Sequence, residues 1–230
     1  FNMLKENFKS LSDIETEKRK PILPYFHQHF LAEKIWNRLS ESETVVCTAI
    51  SRSGKTYIMG LLCKKAKNIL IVTLKPSEAY QQLIEFFTFH NFESYKIISL
   101  NTKLSSPPLQ NENNIVIVSE QFLRCKIKKN KIDWLADFRF DLVLIDEPHD
   151  GGSTHLANKV YEMYSSKTKT VLFTSTANKP IQIFKIPQKN IVTWNMVDIK
   201  LCKTLNDDEK KLLIERNGNE CEDILKLYSE

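Results

Sequence analysis

The sequence predicts an α/β protein with a mostly parallel sheet sandwiched by helices, and three observations carry that expectation. Uninterrupted runs of β-branched and aliphatic residues recur along the chain, as strands buried on both faces require. Segments with apolar residues at helical spacing separate those runs. With 230 residues, 42% of them hydrophobic and 27% charged, the chain is long enough to bury one sizeable core.

Taken in order, residues 1–20 are charged and only loosely periodic (Lys5, Glu6, Asp13, Glu15, Glu17, Lys18, Arg19, Lys20) and read as a lead-in that Pro21 and Pro24 interrupt. Phe30, Leu31, Ile35 and Leu39 fall at helical spacing and predict a helix over 28–39. The run at 44–49 predicts a strand, 55–67 a helix, 68–73 a strand, 77–90 a helix and 94–100 a strand. A polar, proline-rich loop covers 105–108 and 111–114. Strands are expected at 115–118, 142–145 and 170–173, with a helix over 154–164. Beyond Pro187 the alternation fades, although 206–216 has the pattern of one more helix and Gly218 a plausible stop. The expected division is a lead-in (1–20), one α/β domain (21–187) and a linker or helical extension (188–230).

Composition narrows the function classes. The net charge of +5 suits a phosphate-bearing partner without requiring one. Cys47, Cys63, Cys125, Cys202 and Cys221 are odd in number, scattered and free of any CxxC, which favours free thiols in a reducing compartment over a disulfide framework or zinc site. No run approaches the about 18 apolar residues of a membrane-spanning helix, and no signal peptide opens the chain. The expected setting is intracellular (cytoplasm or nucleus, or a viral protein in its host). A chain opening at Phe1 reads as an excised fragment.

Two segments carry chemistry. Thr48-Ala49-Ile50-Ser51-Arg52-Ser53-Gly54-Lys55-Thr56 lies between a predicted strand and a predicted helix, the context of a phosphate-binding loop. Backbone N–H groups at such a helix start cradle phosphates. Ser51, Arg52, Ser53 and Gly54 would form the cradle, Lys55 would reach the β and γ oxygens of ATP, and Thr56 would hold Mg2+. Ala49 occupies the place of the first glycine of the usual pattern, and Arg52 stands where another glycine is common. The second segment, 142–149, is an apolar strand ending in Asp146-Glu147-Pro148-His149. It brings two carboxylates to the carboxyl edge of the sheet, where open α/β folds bind ligands. Asp146 would hold the magnesium ion, and Glu147 would orient and deprotonate the attacking water. His149 is either a contributor to the nucleotide site or a loop histidine.

Together these stretches resemble superfamily 2 helicases and translocases of the DExH type, near the helicase subunits of type III restriction enzymes and related viral helicases. The resemblance covers roughly 21–187 and implies a RecA-like P-loop fold. Asp146-Glu147-Pro148-His149 matches motif II, with proline replacing the commoner alanine. Phe173-Thr174-Ser175-Thr176-Ala177 looks like motif III, so Thr174, Ser175 and Thr176 would couple hydrolysis to the nucleic-acid track. Tyr25-Phe26-His27-Gln28 resembles the adenine-reading Q motif, with Gln28 bonding the base and Tyr25 or Phe26 packing against it. Thr73 and Lys75, and then Ser119 and Gln121, fall where the backbone-contacting motifs lie; a Ser or Thr there is also a natural helix cap. The resemblance further implies ATP and magnesium as cofactors, DNA or RNA as partner, and a second RecA-like domain supplying arginine fingers. Without that domain, binding would be weak and hydrolysis slow.

Two other readings stay open. Viral DNA-packaging terminases carry a similar S-R-x-x-G-K-T loop and continue into a nuclease domain. A non-catalytic nucleotide-binding module would keep the fold and lose turnover. The Lys-rich stretch from Arg124 to Lys131 is either a nucleic-acid contact or a solvated connector, and Trp36, Trp134 and Trp194 are expected to pack rather than to stack on bases.

Overall fold

The computed structural model describes residues 21–73, 78–100, 107–128, 134–146, 161–165, 167–175, 182 and 184–215. The expected lead-in (1–20) and most of the helix expected at 154–164 lie outside these residues, although 161–165 is helical.

The described chain runs α1 (Phe26–Glu41), β1 (Thr44–Ala49), α2 (Lys55–Cys63), β2 (Asn68–Thr73), α3 (Glu78–Phe89), β3 (Lys96–Leu100), β4 (Asn114–Ser119), α4 (Glu120–Lys128), a single turn α5 (Trp134–Asp137), β5 (Leu142–Asp146), β6 (Lys169–Thr174), β7 (Ile191–Trp194), α6 (Met196–Cys202) and α7 (Asp207–Glu215). The strands form one sheet in the order β3-β4-β2-β5-β6-β1-β7, and every recorded pairing is parallel.

Burial explains why these segments are strands. Every residue of β1, β2 and β4 is buried, so neither face tolerates polar alternation. Successive side chains still divide between two cores. Val45, Cys47, Leu142 and Leu144 face one, which α1, α2 and α3 cover with Leu31, Ile35, Ile58, Leu62 and Phe87. Val46, Val143 and Ile145 face the other, closed by Phe122, Leu123, Phe140 and Tyr164. Helices α2 and α3 cross closely at Gly60, where a Cβ would stand 2.7 Å from the Phe86 ring.

Three elements differ from the sequence expectation. Residues 191–194, taken as part of a fading tail, form a seventh strand against β1, pairing Val46 with Ile191 and Ala49 with Trp194. Residues 120–128 form a helix, which takes in the first part of the stretch 124–131 read as a connector or nucleic-acid contact; the Ser119 Oγ accepts the Phe122 N–H at 3.2 Å and starts the turn. Residues 196–202 form a further helix, capped by the Asn195 side chain, which accepts from Val197 N at 2.7 Å.

A buried amide lattice fixes where β2 and β4 begin. Asn68 and Asn114 are register partners, and the Asn114 Nδ2 donates to Asn68 Oδ1 (2.8 Å), with the Leu109 and Glu112 carbonyls at 2.9 and 3.0 Å. Asn114→Asp would present a carboxylate to those three oxygens at almost unchanged shape. The expected loss of stability is about 3 kcal/mol at pH 7 by urea denaturation. The new carboxyl would have a folded pKa raised above its unfolded value, so the deficit should shrink as pH falls toward about 4.

Candidate functional site

The loop joining β1 to α2 is held from α1. Gln28, only 4% exposed, accepts the Tyr25 N–H on Oε1 (3.0 Å) and donates from Nε2 to the Ser53 carbonyl (3.2 Å). The His27 Nε2 donates to the same carbonyl at 2.9 Å, so that nitrogen carries the proton. Gly54 follows at φ +77°, and the space its Cβ would need is filled by the Gln28 Nε2. Glycine is therefore required there twice, by conformation and by the close approach of the Gln28 amide.

Arg52 is also left-handed, at φ 64°. Its backbone explains why glycine is common at this place, and a non-glycine residue held there carries strain of about 1 kcal/mol or more. The compensation is positional: the exposed arginine lines the hollow beside the loop. The two left-handed residues turn the loop around the start of α2, where the Gly54 carbonyl accepts the Tyr57 and Ile58 N–H groups at 2.9 and 3.3 Å. Such a turn is an anion-binding concavity. Ser51 is exposed. Ser53 is buried, and its Oγ has no hydrogen-bond partner among the described residues. A cradle with an unsatisfied hydroxyl, ahead of a lysine and a threonine, fits a phosphate chain.

Lys55 and Thr56, both half-buried, open α2. Cys47, fully buried at the base of the loop, has its thiol pushed up to about 12 by burial, and the nearby Lys55 ammonium works against that shift. The lysine thus lies toward the carboxyl edge of the sheet. Asp146 ends β5 on the same edge: it is the register partner of Phe173, itself the partner of Cys47. Two strand spacings, about 10 Å, separate the Asp146 backbone from β1. Thr174 is buried at the end of β6 beside Thr48, and Ser175 follows, exposed.

Beside the loop lies a hollow of about 460 Å³. Tyr25, Phe26, His27, Ile50, Arg52 and Ser53 form one side, and Trp194, Ile199, Cys202, Lys203 and Lys210 the other. His27 is a rung between Tyr25 (centroids 6.1 Å, 7°) and Trp194 (5.2 Å, 14°). Tyr25 is 75% exposed, a high value for an aromatic ring. The Cys202 thiol is pushed up to about 11, by burial first and then by Asp198, with Lys210 opposing.

The structure gathers Tyr25, Phe26, Arg52 and Ser53 at this hollow. Gln28 does not line the hollow; its amide bonds the Ser53 carbonyl and the Tyr25 N–H, and Nε2 carries a second N–H. Sequence reasoning missed His27, although it sits between assigned neighbours, and missed Lys203 and Lys210 altogether. It took Trp194 for packing; Trp194 is both packed in β7 and part of the wall. Thr73 and Ser119 are register partners at the ends of β2 and β4, but both side chains are buried, and the Ser119 hydroxyl caps α4. Gln121 is exposed on the first turn of α4. Lys75, Glu147, His149 and Thr176 lie outside the described residues. No group of three or more His, Cys, Asp or Glu residues forms a metal cluster among the described residues, and no described helix is long and apolar enough to cross a membrane. The Cys47, Cys63, Cys125 and Cys202 thiols are free.

An all-parallel sheet with a phosphate-type loop after β1 and an acidic residue ending β5 defines a RecA-like P-loop domain. The sequence profile of the family "Type III restriction enzyme, res subunit" matches residues 22–179, more than half of the chain, and the chain belongs to that family of superfamily 2 helicases. A comparison with curated proteins found no match. Among solved structures the fold is similar to the Hef helicase domain of Pyrococcus furiosus, with a TM-score of 0.55, 17% identity, and coverage of 77% of this chain and 40% of that one. It is also similar to the UvsW helicase of bacteriophage T4, with a TM-score of 0.53, 16% identity, and coverage of 80% and 68%. The chain thus spans well under half of the Hef helicase domain.

The strained arginine gives a direct test. Arg52→Gly should raise thermal stability, by up to about 1 kcal/mol, because glycine adopts the left-handed backbone without strain. The same change should weaken binding of a fluorescent ATP analogue by about tenfold through loss of the guanidinium. A variant that gains stability and binds the analogue as well as the parent would make Arg52 a bystander.

Proposed function

We propose that this chain is the ATP-binding first motor domain of a nucleic-acid helicase or translocase. The observation that carries the proposal is the loop at residues 51–56, shaped by Gln28 and His27, with an unsatisfied buried hydroxyl at Ser53 and an acidic strand end on the same sheet edge.

The base and ribose would occupy the hollow between Tyr25, His27 and Trp194. The triphosphate would lie on the loop backbone and the α2 N-terminus, where the helix dipole favours negative charge. Lys55 would neutralise β and γ oxygens. Thr56 and Asp146 would hold a magnesium ion, which when bound supplies charge neutralisation across those oxygens. Glu147 would align a water and take its proton. His149 would contribute at the same edge. Thr174, Ser175 and Thr176 would link hydrolysis to the track, and Thr73, Lys75, Ser119 and Gln121 would face it; the burial of Thr73 and Ser119 means that contact by their side chains requires local rearrangement. The motor domain expected at 21–187 would run on through β7 to α7, since β7 extends its sheet and Leu205 and Leu213 pack into its core, and a second RecA-like domain would supply the remaining cations of the transition state.

The test is ATPase activity of the full-length protein with and without DNA and RNA. Lys55→Ala should abolish ATP binding, whereas Glu147→Gln should bind ATP and lose turnover by about 100-fold or more. Turnover at the parent rate in the Glu147→Gln protein would remove the residue from its role. Rates indifferent to every nucleic acid would favour a module without a track.

A further inference from the structure

The opposite edge of the sheet carries a second feature. β2, β5 and β6 are neighbours in the sheet, and the residues leading into all three meet in a basin of about 480 Å³. Lys67 enters β2, Arg139 and Asp141 precede β5, and Lys167 and Lys169 lead into and begin β6. Trp36 from α1 and Phe140 supply apolar wall, and Lys65 completes it.

The charge is one-sided. Asp141 is the one carboxylate lining the basin among the described residues, and its Oδ2 accepts the Lys67 and Asn68 N–H groups at 3.3 and 2.9 Å. Lys65 is paired with Glu33 at 2.7 Å. Lys67, Arg139, Lys167 and Lys169 make no ion pair with any described residue. Glu41 and Glu43 stand beyond Lys167 and Lys169, in a neighbouring hollow, and bound the basic surface on that side. Trp36 keeps part of its ring accessible, with the Lys169 Nζ 4.9 Å from its centroid. Four cations with no ion pair among the described residues, around a tryptophan, are the components of a sequence-tolerant single-strand site, where phosphates meet cations and bases stack on the ring.

We propose that this basin binds single-stranded nucleic acid as a second contact, remote from the ATP loop by the length of the strands, about 20 Å. The choice of nucleic acid over another polyanion rests on the motor reading. Lys67, Arg139, Lys167 and Lys169 engage successive phosphates, and Trp36 receives a base in place of the Lys169 ammonium. The contact is electrostatic and indifferent to sequence, and it keeps the strand on the protein while the motor edge releases and rebinds it.

The test uses the full-length protein and a fluorescent oligothymidylate, with anisotropy measured over a range of salt. The triple variant Arg139→Gln, Lys167→Gln, Lys169→Gln should bind at least about tenfold more weakly at low salt. Its log–log salt slope should be shallower by about 2, since each lost phosphate contact on a single strand contributes about 0.7. Trp36→Leu, made separately, should weaken binding with the slope unchanged. ATP-analogue affinity should not move in either variant. Parent-like affinity and slope in the triple variant would overturn the proposal while leaving the motor reading intact. Displacement of the oligonucleotide by polyglutamate from the triple variant as readily as from the parent would also overturn it. A parent protein that binds no nucleic acid under any condition would remove both readings.

Discussion

The structure turns on one buried contact, the amide of Gln28 against the carbonyl of Ser53. A loop with two left-handed residues in three is not a low-energy path for a free chain. Here it is dictated from α1: Gln28 and His27 share the Ser53 oxygen, Gly54 admits the Gln28 nitrogen where a side chain would block it, and Arg52 takes the strain that remains. The loop is thereby held in an anion-binding shape by protein contacts alone. Pre-organisation of this kind spares a ligand the entropy of ordering the loop.

That clasp also explains the position of the hollow. Binding the loop from α1 brings Tyr25, Phe26 and His27 alongside it, and β7 on the far side of β1 brings Trp194 to the same place. The parallel sheet then brings Asp146 and Thr174 to the same edge, since strands that all point the same way end together. Asp146, Thr174 and the loop share an edge because β5, β6 and β1 are neighbours, although they are far apart in sequence. The opposite edge receives the strand entries, where the lysines of the basin accumulate.

Much of this was legible in the sequence, for identifiable reasons. β1, β2, β4, β5 and β6 are buried on both faces, and that burial forces the uninterrupted aliphatic runs by which they were recognised. Lys55, Thr56 and Asp146 were marked by their types and spacing, and the structure places them toward the same edge of the sheet. β7 was not, because a four-residue edge strand with an exposed Thr193 leaves too short a pattern. α6 buries none of its residues, so apolar spacing gave no signal; its Asn195–Asp198 cap was the available clue. The strain at Arg52 is a backbone property that no side-chain pattern reveals. Gln28 was marked as important through its resemblance to a base-reading residue, whereas in the structure its amide is turned to the loop. The basin was invisible because its cations come from separate strand entries.

The most direct measurement is backbone hydrogen exchange over residues 51–56, taken in the free protein, with magnesium alone and with magnesium and a non-hydrolysable ATP analogue. The account predicts that the loop amides slow only when the nucleotide is present, together with protection around Tyr25–Gln28 and Trp194, and that Lys55→Ala loses the effect. Saturating nucleotide that leaves residues 51–56 exchanging at the free-protein rate would contradict it.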